Sequence, residues 1–183
     1  MKWIKTFRRM PAFAIALLLT LPAVSLGTED REFTIELSDA WMELPLPLQG
    51  VEASYGKKGT LATFHIIERD LDEVRDVEDL RWEDLFSPEF ASIDIRAQGP
   101  SMIGGEKARF CFYGIKPGGF KKAMEGGLPA KYINHIVVHG GKLFSITFKD
   151  TEEGFAMTYP SFLAAMRTLR FHTPVANVTG KKP

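Results

Sequence analysis

The chain of 183 residues has little cysteine, and its charges are balanced. Cys111 is the only cysteine, so no internal disulfide can form and side-chain packing has to stabilise the fold. The 23 Lys and Arg residues are matched by 23 Asp and Glu residues. General nucleic-acid binding needs a clear basic excess, so this balance excludes it as the main role.

Long apolar runs are also scarce, and the clearest one lies at the amino terminus, from Ala12 to Val24. Four bases and no acid precede it: Lys2, Lys5, Arg8 and Arg9. The small residues Ser25 and Gly27 follow it. This order is typical of a secretory signal peptide over residues 1–27, cleaved after Gly27 or Ser25. The run is shorter than the about 20 residues of a membrane span. We therefore expect a periplasmic or secreted protein, without stable membrane insertion after cleavage.

The remaining 156 residues are enough for one domain. Residues 1–27 hold four of the bases and none of the acids, so residues 28–183 carry 19 bases against 23 acids, a formal charge of −4. We expect a single domain over residues 28–172, followed by a flexible tail at 173–183.

Alternation of apolar and polar residues predicts several strands. They cover 33–37, a short piece at Trp41, 53–55 with 61–67, 91–97, 107–115, and the pair 132–138 and 143–149. Gly140 and Gly141 supply the positive φ angles of a tight hairpin turn in that last pair. The turn sets a register in which His139 faces Lys142 and His135 faces Ile146.

Two helical regions are expected. The acidic stretch 70–86 contains many helix formers and predicts one helix or two short ones, ended by Ser87 and Pro88. A closing helix is expected near 160–170, with Pro160 in its first turn, where a missing N–H has no cost. An apolar stripe at helical spacing marks its buried side.

Three segments resemble the PsbP-like fold family, which includes PsbP, the import factor that binds the GTPase Ran, and DcrB-type bacterial envelope proteins. They are the opening Phe33–Trp41, the hairpin Tyr132–Lys149 and the closing helix Phe162–Phe171. The resemblance implies an α+β fold, with an antiparallel sheet flanked by helices on both faces. It also implies binding of other proteins, because the family has no shared active site.

His135 and His139 are the sharpest metal hypothesis, since they stand four residues apart. However, Ile136 occupies the place of the glutamate in a zinc-binding HExxH motif, and both histidines lie on a predicted strand. We favour a packed, hydrogen-bonded core histidine at position 135 over a ligand.

The acidic stretch 70–84 is the next possible site. Val74 and Arg75 occupy positions where an EF-hand loop needs a ligand and a glycine, so a solvated helix face is the better interpretation. Cys111 lies on a predicted strand between two phenylalanines, which favours a buried structural thiol over a reactive one. No complete nucleophile or phosphate-loop motif occurs, and we expect no catalytic residue, cofactor or metal.

Two surfaces remain for binding. Residues 114–127 contain five glycines and form a basic loop, in which partner binding is assigned to Lys116, Phe120, Lys121, Lys122 and the adjacent Lys131. A solubilising loop is the simpler alternative. The second surface is the half-polar face of the late hairpin around Tyr132 and Asn134, which could be covered incompletely and form a shallow groove.

The sequence therefore favours a non-catalytic, exported accessory or binding protein of the bacterial cell envelope. Its partner is expected to be an envelope protein, and nucleic acid is not expected. The alternatives are a small-ligand carrier, or a metal-dependent or hydrolytic enzyme whose site is not recognised.

Overall fold

The computed structural model describes residues 31–45, 50–73, 75–86, 89–116 and 130–172. The expected signal peptide, the expected tail and most of the glycine-rich loop lie outside these residues. In the described part, no helix has the length and apolar character needed to cross a membrane.

A seven-stranded sheet with every neighbouring pair antiparallel dominates the domain. Its strands are β2 (Trp41–Glu43), β3 (Val51–Lys57), β4 (Thr63–Asp70), β5 (Ile93–Ile103), β6 (Glu106–Ile115), β7 (Ala130–His139) and β8 (Lys142–Thr151). Their spatial order is β2-β3-β4-β8-β7-β6-β5. The expected first strand is shorter than 33–37: β1 (Phe33–Thr34) pairs only with β9 (Arg170–Phe171).

The late hairpin has the predicted register. His139 lies opposite Lys142, and His135 lies opposite Ile146. Gly140 and Gly141 adopt φ angles of 60° and 83°, as the tight turn requires. The alternation of side chains across this hairpin therefore decides which of its residues reach each face of the sheet.

The closing helix α2 (Phe155–Thr168) packs on one face of the sheet. It begins earlier than predicted, so Pro160 lies inside the helix rather than in its first turn. Phe155 explains the longer helix, because its ring packs against Phe112 and Phe148 of the sheet. Pro160 is exposed, and so is Ala156, whose carbonyl loses its helical hydrogen bond to the proline; water can reach that carbonyl.

The opposite face carries less helix than expected. Instead of one or two helices over 70–86, the described residues form a 3-10 turn at Val77–Asp79 and the four-residue α1 (Trp82–Leu85). A further 3-10 turn follows at Glu89–Ser92. Strand β4 takes the residues up to Asp70, and Leu80 and Arg81 are extended, which interrupts the helical path. The fold is thus mixed α/β, with one long helix on one face and short helical turns on the other.

Candidate functional site

A row of polar and thiol side chains crosses the sheet on the face opposite α2. The strand register places its members directly opposite one another: Ser54, His65, Thr147, Asn134, Cys111 and Gln98. Residues that face one another in this way share one surface of the sheet. A polar row on a half-buried face differs sharply from the aromatic packing beneath α2.

Asn134 is the centre of this row and is only 5% exposed. Its Nδ2 donates to Ser145 Oγ and to Thr147 Oγ1, each at 2.9 Å. Ser145 Oγ donates in turn to Asn134 Oδ1 at 3.3 Å. Both amide hydrogens are therefore used, and the Thr147 hydroxyl accepts one of them. No described residue accepts the hydrogen of the Thr147 hydroxyl, which is left for another acceptor.

A cavity of about 180 Å³ lies between this network and the end of α1. Its lining is Ile67, Arg69, Leu85, Phe86, Tyr113, Asn134, Ile136, Leu143, Ser145 and Thr147. We call this the sheet-face pocket. Its position agrees with the incomplete cover expected from the half-polar composition of the late hairpin. The residues of α1 were expected as part of a longer solvated helix, so the sequence did not indicate their role as a pocket wall.

Arg109 holds the short turns against this face. Its Nη1 donates to the carbonyl oxygen of Leu80 at 2.5 Å, and those of Glu78 and Val77 lie 3.4 and 3.5 Å away. Its guanidinium also lies 5.4 Å from the centre of the Trp82 ring, a cation–π distance. Arg109 of β6 thus helps to hold the segment that covers the sheet, a role that sequence patterning did not reveal.

Cys111 is fully buried in the same face. Burial raises the pKa of its thiol to about 11, and the nearby Arg109 charge opposes this only in part. The thiol is therefore protonated at neutral pH and a poor nucleophile. The predicted burial of Cys111 is confirmed.

His135 faces α2 and is only 4% exposed. Its Nδ1 lies 3.3 Å from Ser101 Oγ, and its ring packs beside Phe110 and Phe162. Burial lowers the pKa of His135 to about 4, so the imidazole is neutral at physiological pH. The prediction of a packed core histidine is confirmed.

His139 has different neighbours: its Nδ1 lies 3.1 Å from Glu106 Oε1, and its ring stacks on Phe171. Within the described ranges, no group of three or more His, Cys, Asp and Glu side chains is placed to hold a metal ion.

The basic loop is only partly described. Lys116 Nζ donates to the carbonyl of Ala91 at 3.1 Å. Lys131 Nζ lies 3.4 Å from the Glu152 carbonyl and 3.6 Å from its carboxylate. Phe120, Lys121 and Lys122 lie outside the described residues, so partner binding by this loop stays a prediction.

A larger concave surface lies on the α2 side, where the β5–β6 turn meets the end of the helix. It measures about 520 Å³ and is lined by Met102, Ile103, Gly104, Gly105, Leu163, Met166, Arg167 and Arg170. We call it the arginine groove. Gly104 permits this close approach, because it has a φ of 63° and a Cβ there would lie 3.1 Å from the Leu169 carbonyl oxygen.

The groove combines apolar surface with positive charge. Met102 is 65% exposed, and both arginines are exposed. Arg170 Nη1 donates to the carbonyls of Arg167 and Leu169, which caps the end of α2. Among the described residues, no acidic side chain pairs with Arg167 or Arg170. The sequence signal for this site was an arginine in the last turn of a helix and another just after it, and our sequence analysis missed it.

Comparisons with known proteins identify the fold. CyanoP, the PsbP of Synechocystis sp. PCC 6803, superposes with a TM-score of 0.53 at 11% identity, over 82% of this chain and 99% of CyanoP. LpqN of Mycobacterium tuberculosis, described as involved in cell envelope biogenesis, gives 0.54 at 11% identity, over 76% of this chain and 83% of LpqN. A point mutant of the protein Mog1 gives 0.52 at 9% identity, over 78% and 92% of the two chains.

These likenesses show that the chain has the PsbP-like fold, as the opening strand, late hairpin and closing helix indicated. No protein-family model matches the sequence. No curated protein matches it either.

Proposed function

We propose that this chain is an exported, non-catalytic accessory protein of the bacterial cell envelope, and that it binds a partner protein in the arginine groove. The observation that carries the proposal is the groove itself, which has a volume of about 520 Å³ and combines apolar side chains with two arginines that no described acid neutralises.

The chemistry of the groove selects an acidic, amphipathic segment of the partner. Carboxylates pair with arginine in a bidentate geometry, which gives both affinity and orientation. Met102 and Leu163 offer an adaptable apolar floor, and methionine suits surfaces that accommodate several shapes. A segment with acidic residues on one side and apolar residues on the other complements both features.

The export and envelope parts of the proposal have separate support. Residues 1–27 have the pattern of a secretory signal peptide. LpqN, which has the same fold, is described as involved in cell envelope biogenesis. A non-catalytic role is supported by the burial of Cys111, the candidate for a reactive thiol, and of His135, the candidate for a metal ligand.

Site-specific photo-crosslinking in living cells tests the groove. A crosslinking residue at Met102 should trap one envelope protein, and the trapped peptide should be rich in Asp and Glu. The same residue at Met157, which is 76% exposed on α2 but does not line the groove, is the matched control. An equal product from both positions, or a trapped peptide without acids, would reject the groove as the binding site.

Charge substitution adds a second test. Arg167→Gln should reduce the crosslink from Met102 several-fold. Arg170 is left unchanged, because its hydrogen bonds cap the helix. The basic loop is retained as a second proposed contact, tested by Lys121→Glu with Lys122→Glu. A crosslink that depends on those lysines and not on Arg167 would indicate that the partner binds the loop rather than the groove.

A further inference from the structure

We propose that the sheet-face pocket binds a small organic carboxylate with an apolar body. The pocket lies on the opposite face from the arginine groove, so this second binding activity does not rest on the proposed function. Its argument comes from the size, the walls and the hydrogen-bonding groups of the pocket.

The size limits the ligand to a small molecule. At about 180 Å³, the pocket is smaller than the roughly 300–1,000 Å³ of sites for drug-sized ligands. One ring or a short aliphatic chain suits this volume. A folded protein segment or a lipid tail of ordinary length does not.

The walls select an apolar body. Phe86 and Tyr113 stand beside each other with ring centroids 5.0 Å apart, and Leu85, Ile136 and Leu143 add aliphatic surface. Ring edges and faces at such distances pack favourably against another apolar group. Arg109 holds the turns next to the pocket through its hydrogen bond to the Leu80 carbonyl and its contact with Trp82. The aromatic wall formed by these turns is therefore anchored before a ligand binds.

The polar groups select an acceptor with negative charge. Arg69 is the only charged residue of the lining, and no acid accompanies it. No described residue forms an ion pair or hydrogen bond with the Arg69 side chain. The Thr147 hydroxyl has accepted a hydrogen from Asn134 and retains its own for a ligand. Burial raises the pKa of Tyr113, so its hydroxyl stays protonated and can donate.

These groups can act together on one ligand. A carboxylate has two oxygens and about four acceptor positions, which match a guanidinium and a hydroxyl donor better than a single neutral acceptor does. A neutral amide of the same shape would keep the wall contacts but lose the charge-assisted hydrogen bond to Arg69.

The test uses the exported protein and four probes followed by NMR titration. Benzoate and hexanoate should bind saturably at millimolar concentration or below, and should shift the signals of Asn134, Thr147 and Leu85. Benzamide, the neutral match for benzoate, should bind at least fivefold more weakly. Inorganic phosphate, which has charge without an apolar body, should not saturate these signals.

Substitution of Arg69, the charged residue of the pocket lining, completes the test. Arg69→Gln should lower benzoate affinity about fivefold, since a charged hydrogen bond partly screened by water contributes less than a buried one. Arg69→Lys should recover part of the loss, and Arg167→Gln on the opposite face should change nothing. Arg69 is exposed and has no described partner, so both variants should fold.

Three results would overturn the proposal. They are the absence of saturable carboxylate binding, binding that Arg69→Gln leaves unchanged, and benzamide binding equal to that of benzoate. None of them bears on the crosslink in the arginine groove.

Discussion

The two faces of the sheet are covered in different ways. The face under α2 is closed by aromatic rings, among which Phe64, Phe148 and Phe162 are fully buried. The other face is closed by short turns that depend on hydrogen bonds from Arg109, and it retains a polar row and a cavity. The first face has the composition of a structural core, and the second has that of a surface that can bind.

The difference shows how one sheet can carry both stability and function. The larger of the two buried clusters lies under the long helix, and the free energy gained from apolar packing scales with the buried apolar area. The opposite face is then free to keep polar groups such as Asn134, which are tolerated when hydrogen-bonded. We therefore expect substitutions on the α2 face to change stability strongly, and those on the other face to act more locally.

The largest effect should come from Phe162→Ala. The Phe162 ring packs against Phe64, Phe148 and His135, so its removal leaves a cavity in the core. We expect the free energy of unfolding to fall by about 3–5 kcal/mol, measured by urea denaturation. Met157→Ala on the exposed side of the same helix should change it by less than about 0.5 kcal/mol. Equal effects of the two substitutions would show that α2 does not pack as described.

Acidification should weaken the α2 face through His135. Burial lowers its pKa from an ordinary 6.5 to about 4. At a pH between these two values, His135 is protonated in the unfolded chain but neutral in the folded protein. Its contribution to stability is complete above pH 6.5 and is lost as the pH falls towards 4. The loss should reach about 3 kcal/mol in the free energy of unfolding.

The variant His135→Asn should be less stable at neutral pH, and its stability should depend less on pH in this window. Some dependence should remain, because burial also lowers the pKa of His65. His172→Asn, at an exposed position, is the control. Bound zinc in the purified protein that disappears in His135→Asn would contradict the structural role of this histidine.

A smaller change in the free energy of unfolding is expected when the contacts of Arg109 on the other face are removed. Arg109→Met keeps the apolar stem but removes the donor to the Leu80 carbonyl, and should cost about 1–2 kcal/mol. Amide hydrogen exchange should accelerate over 77–86 while α2 stays protected. Lys107→Met removes only exposed ion pairs to Asp76 and Glu78 and should leave exchange nearly unchanged. Faster exchange throughout the sheet would indicate that the two faces are not energetically separate.

The smallest effect concerns the groove. Arg167→Gln should change the free energy of unfolding by about 0.5 kcal/mol or less, since the side chain is exposed and contributes mainly through the helix dipole. A thermal unfolding curve beside that of Phe162→Ala checks this directly. A large destabilisation would mean that Arg167 supports α2, and the positive charge at this position would then not need a partner to explain it.

Local patterns predicted the strands better than the helices. The turn at Gly140 and Gly141 specified the β7–β8 register, because two residues with positive φ leave one way to pair the flanking strands. The stretch 70–86 is less helical than its composition predicts, since helix-forming composition cannot show that β4 extends to Asp70 or that Leu80 is extended. The helix at 155–168 begins earlier than the sequence predicts, because Pro160 favours a start near residue 160 whereas Phe155 already packs on the sheet.

A resemblance to known proteins indicated the PsbP-like fold. By itself, the sequence determined the β-rich character of the domain, the late hairpin and the buried states of Cys111 and His135. These follow from the period of side-chain alternation, from turn residues and from apolar neighbours, all of which act over a few residues. Only the tertiary structure decided the arginine groove and the sheet-face pocket. Arg167 and Met102 line one groove, and Phe86 and Asn134 line one pocket, although the members of each pair are too far apart in sequence for a local pattern to record. Strand order and the packing of separate segments bring them together, so both sites are products of the fold.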